Sequence, residues 1–157
     1  MDIFITTGKG EGNTKLSAFD QALFKAGIAN YNLLPLSSVI PPNVNLKIEN
    51  INWNNREHGH KLYVVISRIA EDVPGKEVWA GVGWVQVKNE DSRGLFVEHQ
   101  AESEEKLIEL IENSLNDMVV YREGEFTKPQ YVTCGIKCVD KPVSAIVAAV
   151  YKSESWE

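Results

Sequence analysis

Two long β-favouring runs, LYVVISRIA at 62–70 and VWAGVGWVQV at 78–87, sit close together with only EDVPGKE between them. Pro74-Gly75 in that connector marks a tight turn between them. Strands of this apolar character must bury at least one face, and this forces the remaining chain to supply a matching layer. Further β-rich segments are available at DIFITT (2–7), NYNLLPL (30–36), GLFVEHQ (94–100), YVTCGIKCV (131–139) and VSAIVAAVY (143–151).

Helical periodicity appears twice. In TKLSAFDQALFKAGI (14–28), Leu16, Phe19, Ala22, Leu23, Phe24 and Ala26 recur at helical spacing. Asn13 or Thr14 is placed to cap its start, and Gly27 suits its end. SEEKLIELIENSLNDMV predicts a second helix over 103–119, with Ser103 as cap, acids in the first turn, and one stripe of Leu107, Leu110, Ile111, Leu115 and Met118. The segment GKGEGN between the first strand and first helix reads as a glycine loop. About six strands with two helices far apart in sequence predict an α+β sandwich of mainly antiparallel sheets. The 157 residues, without repeat or linker, form a single domain over 1–157.

Charge and composition exclude some classes of function. Twenty-two acidic against 16 basic residues give a net charge of −6, which argues against a nucleic-acid surface. No apolar run reaches the ~20 residues of a membrane span. The amino terminus lacks the basic region of a secretory signal. The two cysteines, Cys134 and Cys138, are expected to be buried structural thiols in a reducing cytoplasm.

Several chemistries can be weighed on residue patterns. GKGEGNTK fails both the P-loop and the dinucleotide-binding spacing. His58 and His60, with His99 as a third ligand, lack the cysteines or carboxylates of a metal shell, so no metal site is expected. No G-x-S-x-G elbow supports a serine hydrolase. Two carboxylates stand out. Asp20 lies at the margin of the apolar stripe of the first helix, and Glu98 alternates onto the face of Phe96. Each is either a solvated side chain or a partly buried acid able to move a proton or hold a cation.

The stretch LSSVIPP (36–42) ends an apolar run with two serines and then two prolines. Prolines at 41 and 42 push the preceding residues towards extended geometry, so the strand stops rigidly just past the serines. Local sequence alone reads this as a turn.

A wider pattern changes that reading. AFD-x-AL at 18–23, AGI-x-N-x-NL at 26–33 and SS-x-x-PP at 37–42 together resemble the processing-site signature of the pyruvoyl-dependent arginine decarboxylase family. DVPG at 72–75, GLFVEH at 94–99 and AIVAAVYK at 145–152 continue the resemblance in order along nearly the whole chain. It implies self-cleavage between Ser37 and Ser38, giving a small chain of residues 1–37 and a large chain of 38–157. The Ser38 hydroxyl would attack the Ser37 carbonyl in an N-to-O acyl shift. Elimination and hydrolysis would then convert residue 38 into a pyruvoyl group, with loss of ammonia.

The same resemblance implies decarboxylation of L-arginine to agmatine and carbon dioxide through a Schiff base on that group. Glu98 is the implied proton donor, and Asn32 the implied aid to processing. Asp20 would receive the guanidinium, while Leu23, Ala29, Tyr31, Ser37 and Val39 fall at pocket positions. Tyr31 departs from the family pattern, where a smaller aliphatic residue is expected, and Ala29 replaces a glycine. The family fold is a layered αββα sandwich, and its members assemble as trimers of cleaved protomers with no nucleic-acid or membrane partner. The alternatives are the same chemistry on another amino acid, or an uncleaved, non-catalytic homologue acting as a binding or assembly protein.

Overall fold

In the computed structural model, which describes residues 1–54 and 56–157, the expected strands and helices assemble as two sheets between two helices. In chain order the elements are β1 (Asp2–Glu11), α1 (Lys15–Ala26), β2 (Asn32–Pro35), β3 (Val39–Ile40), β4 (Asn45–Ile48), β5 (Lys61–Glu71), β6 (Glu77–Gln86), β7 (Gly94–Ala101), α2 (Glu104–Val119), β8 (Gln130–Lys137) and β9 (Val143–Glu154). One sheet has the order β2-β5-β9-β1-β4, the other β3-β7-β6-β8. Pairing is antiparallel except for β1 with β4 and β2 with β5.

Strand β9 shows why the layers stack as they do. Its run is apolar at every position from Ala145 to Val150 because both faces are buried. Ala145, Val147 and Ala149 point between the sheets, towards Ile3, Ile5, Val82, Trp84 and Phe96. Ile146, Ala148 and Val150 point the other way, beneath α1 and its Ala22, Leu23 and Ala26. On the far side, α2 lays Leu107, Ile111 and Leu115 over Val85, Leu95 and Val97. The result is the expected αββα order.

Both helices are capped as the sequence predicts. Thr14 and Ser17 form a reciprocal capping box, and Gly27 closes α1 at φ 82°. The Ser103 hydroxyl accepts from the Lys106 amide at the start of α2.

Three expectations need correction. GKGEGN is not wholly a loop, because β1 continues through Gly8 and Gly10 to Glu11. These glycines lie under α1, where a Cβ on Gly8 would stand 2.0 Å from the Ala22 carbonyl oxygen. Glycine is needed there for close approach of helix to strand. Leu16 and Phe24 do not belong to the buried stripe of α1, since they are 76% and 44% exposed. The helix sits so low on its glycines that small residues, Ala18, Ala22 and Ala26, make the contact instead. Finally, β3 and β4 were not foreseen, being short and having mostly exposed side chains.

Candidate active site

The chain changes sheets at the serine pair. The Leu36 amide donates to the Val64 carbonyl at 2.8 Å, so residues up to 36 belong to the edge of the first sheet. From residue 38 onward the chain belongs to the second sheet. The Phe96 amide donates to the Ser38 carbonyl at 2.8 Å, and Val39 and Ile40 pair with Leu95 and Gly94. The Ser37-Ser38 peptide is therefore the bridge between two layers, held on both sides.

Ser38 makes this crossing with φ 75°, a left-handed conformation that costs a non-glycine residue ~1–3 kcal/mol. Serine tolerates it less well than glycine or asparagine, so the surrounding pairing must impose it. Ile40 anchors the downstream side, fully buried between the sheets. Pro41 and Pro42 then end β3, and the Asn43 amide donates to the Asp91 carbonyl at 2.6 Å.

That conformation aims the side chain of Ser38. Its hydroxyl donates to Glu98 Oε2 at 2.9 Å. Glu98 stands on β7 two residues beyond Phe96, on the same face, as alternation predicted. Phe96 is fully buried against Trp84 and Tyr151, which fixes the strand carrying Glu98. Tyr151 was missed in the sequence. Its phenol donates to the Val39 carbonyl at 2.8 Å, and burial, followed by the Glu98 charge, pushes its pKa up.

Beside residue 39 lies a cavity of about 380 Å³, lined by Val39, Leu95 and Phe126 together with Arg93, Arg122 and Glu123.

Other expected site residues lie elsewhere. Asn32, in β2, donates its side-chain amide to the Gly59 carbonyl at 2.8 Å. Leu23 and Ala29 are packed between α1 and the first sheet. Tyr31 is half-buried, with burial pushing its phenol pKa up and its hydroxyl donating to the Trp53 carbonyl. Asp20 is exposed on α1 and lines an open groove of about 580 Å³ with Glu11, Asn13, Gln21, Phe24 and Lys141. Within one chain, Ser37, Ser38, Val39 and Glu98 are brought together, and the Asp20 groove forms a second region.

The histidines lie apart from one another in their contacts. His60 Nδ1 meets Glu57 at 3.1 Å, His99 Nε2 meets Ser114 Oγ on α2 at 2.7 Å, and His58 is exposed. Cys134 and Cys138 are both buried free thiols.

Residue 38 fits a pyruvoyl group on structural grounds. It carries the hydroxyl that such a group is made from, in a strained link, facing a carboxylate. Its carbonyl, which the group retains as an amide, is already held by the Phe96 amide.

The chain is also similar to known proteins. A family model described as pyruvoyl-dependent arginine decarboxylase matches residues 2–155. The chain is 34% identical over 152 residues to the pyruvoyl-dependent arginine decarboxylase of Thermococcus kodakarensis, covering 94% of this chain and 92% of that one. It is 33% identical over 146 residues to the protein of that name in Pyrococcus abyssi, with coverage of 89% and 87%. It is 27% identical over 150 residues to pyruvoyl-dependent arginine decarboxylase 2 of Archaeoglobus fulgidus, covering 96% and 95%.

Proposed function

The chain belongs to the pyruvoyl-dependent arginine decarboxylase family, and from that premise we propose that it decarboxylates L-arginine to agmatine and carbon dioxide by Schiff-base chemistry, after self-cleavage at Ser37-Ser38. Family membership carries the enzyme class, a carbon–carbon lyase, and a covalently bound pyruvoyl group as cofactor. The observation that carries the reading is the strained Ser38, whose hydroxyl meets Glu98 at the crossing between sheets.

In the uncleaved chain Glu98 accepts the hydroxyl hydrogen bond from Ser38, which leaves the oxygen lone pairs free to approach the Ser37 carbonyl. The acyl group moves from nitrogen to oxygen, and loss of the Cα proton then expels the Ser37 carboxylate. Water replaces nitrogen at the resulting carbon, releasing ammonia. A ketone at this position supplies an electrophile for the substrate amine and an electron sink as carbon dioxide leaves. Glu98, with Ser38 as its neighbour, is placed to return a proton to the substrate carbon. Asn32 is assigned to processing, as the donor that steadies the oxyanion when its side chain is exchanged from Gly59 to the scissile carbonyl.

Asp20 is assigned to the guanidinium, where a carboxylate accepts a bidentate pair. Because it stands on α1 apart from Ser38, this role calls for a site shared between protomers. Leu16 and Phe24, four residues either side of Asp20, leave an exposed apolar stripe suited to docking against a second copy. We therefore assign a trimer of cleaved protomers, the chain-end Ser37 and Val39 lining one wall of each site and Asp20 and Tyr31 another. Leu23 and the fully buried Ala29 would set the shape of that wall from beneath. Among the described residues, no helix is long and apolar enough to cross a membrane, and a cytoplasmic location is assigned from the free thiols.

Intact mass tests the reading. Two species ending at residue 37 and starting with a ketone at residue 38 support it, with carbon dioxide release greatest from arginine among the basic amino acids. A chain that stays whole would make it a non-catalytic homologue, and release from another amino acid alone would change the substrate.

A further inference from the structure

Tyr151 is the extra residue of a β-bulge. Strand β9 pairs with β5 in register from Val143↔Glu71 to Val150↔Val64, and pairing resumes at Lys152↔Tyr63. Tyr151 is therefore left without a partner on β5. Bulges bend a strand and re-aim one side chain, and they are enriched beside active sites.

Here the re-aimed ring packs edge to face on Phe96, with centroids 6.2 Å apart, and its hydroxyl donates to the Val39 carbonyl at 2.8 Å. Phe96 itself donates its amide to the Ser38 carbonyl at 2.8 Å. Two successive carbonyls are thus held by two side-by-side residues. Both lie on the carboxyl side of Ser37-Ser38, so cleavage leaves them in place. Burial and the neighbouring Glu98 charge keep the phenol protonated, hence a donor, across the working pH range.

We propose that Tyr151 is a positioning residue that, by holding the next carbonyl along, at Val39, restrains the residue-38 amide, so that the residue-38 carbonyl, polarised by the Phe96 amide, can take up the electron pair released with carbon dioxide. The proposal rests on the ketone at residue 38 argued above. The electron pair of the bond to the carboxyl carbon would pass to that carbonyl oxygen and return to the substrate carbon with a proton from Glu98. Such delocalisation would require the residue-38 amide to hold one plane, and an amide free to rock would lose that alignment at little cost to binding.

Tyr151→Phe keeps the ring and removes only the hydroxyl. We expect complete cleavage by intact mass, and a melting temperature within about 4 °C of wild type. The Phe96 amide should exchange with solvent about 5-fold faster, the equivalent of one lost hydrogen bond. On cleaved protein kcat should fall about 10-fold with KM unchanged, the pattern of misalignment rather than lost binding. Unchanged Phe96 exchange with wild-type kcat would overturn the proposal, as would kcat and KM changing together alongside a large loss of melting temperature. If the wild-type chain proves uncleaved, the reading of its function fails. Phe96 exchange in the two precursors still decides the clamp, faster exchange in the variant supporting it and equal exchange overturning it.

Discussion

Ser38 and Glu98 lie 60 positions apart in the chain and meet through a 2.9 Å hydrogen bond in which the serine hydroxyl donates to the carboxylate. Neither residue is held in place by its immediate sequence. Ser38 is placed by crossing from one sheet to the other, and Glu98 by pairing of β7 with β6 and by the burial of Phe96 two residues earlier. The site exists only where two layers meet.

Replacing Glu98 with glutamine keeps a hydrogen-bond acceptor near residue 38 but removes the transferable proton. Carbon dioxide release from arginine by the cleaved variant should fall by ~10²–10⁴-fold, the usual contribution of a general acid. Decarboxylation at the wild-type rate would take Glu98 out of the proton-donor role.

Asp20→Asn alters α1 at an exposed position and should leave self-cleavage and stability intact. Losing a charge-assisted pair costs ~1.5–3 kcal/mol, so kcat/KM for arginine should fall about 10- to 150-fold. Discrimination against neutral amino acids should fall with it, as read by competition between arginine and norleucine.

Gly8→Ala would drive a Cβ to 2.0 Å from the Ala22 carbonyl oxygen and 2.8 Å from the Ala26 amide nitrogen, both backbone atoms of α1. The helix must lift, and stability should drop by about 1–3 kcal/mol or more in urea unfolding. An alanine at Gly75, where nothing lies near the added carbon but φ is 90°, isolates the conformational part of such a change.

His99 is the pH-sensitive contact between β7 and α2, facing Ser114. Burial lowers its pKa below the ordinary 6.5, while the charge of Glu98 opposes the shift. A depressed folded-state pKa means that the unfolded chain takes up the proton first. The contribution to stability is complete above pH 6.5 and is lost as pH falls through the folded value. Relative to His99→Asn, wild type should therefore lose stability on acidification below pH 6.5, measured by urea unfolding at pH 7.5 and 5.5.

The layers were legible because periodicity reports burial. The stripe of α2 named its buried face in advance, and the uninterrupted apolar run of β9 fits a strand buried on both faces. The α1 stripe was misread because Gly8 and Gly10 lower the helix until alanines suffice for contact, and this depends on the strand beneath the helix rather than on the helix's own periodicity. At the site, alternation put Glu98 on the correct face, and the serine motif located the strained link. Tyr151 carried no signal, because the β9 bulge arises from its register against β5 rather than from any pattern within β9. Asp20 and Ser38 were linked only by resemblance, and nothing among the described residues of one chain joins them.

The sheet order has a consequence for maturation. Residues 1–37 contribute β1, which lies between β9 and β4, and β2, which pairs with β5, while all three neighbours belong to residues 38–157. Once the Ser37-Ser38 peptide is broken, the smaller piece would be woven into a sheet whose other strands belong to the larger. Unfolding a cleaved protomer would then release two chains rather than one, so its midpoint would depend more steeply on protein concentration than that of the uncleaved Ser38→Ala protein. Refolding of the cleaved protomer would likewise need two chains to meet. The hydroxyl consumed in making the ketone is not regenerated, so the uncut chain is the form in which folding is a one-body problem.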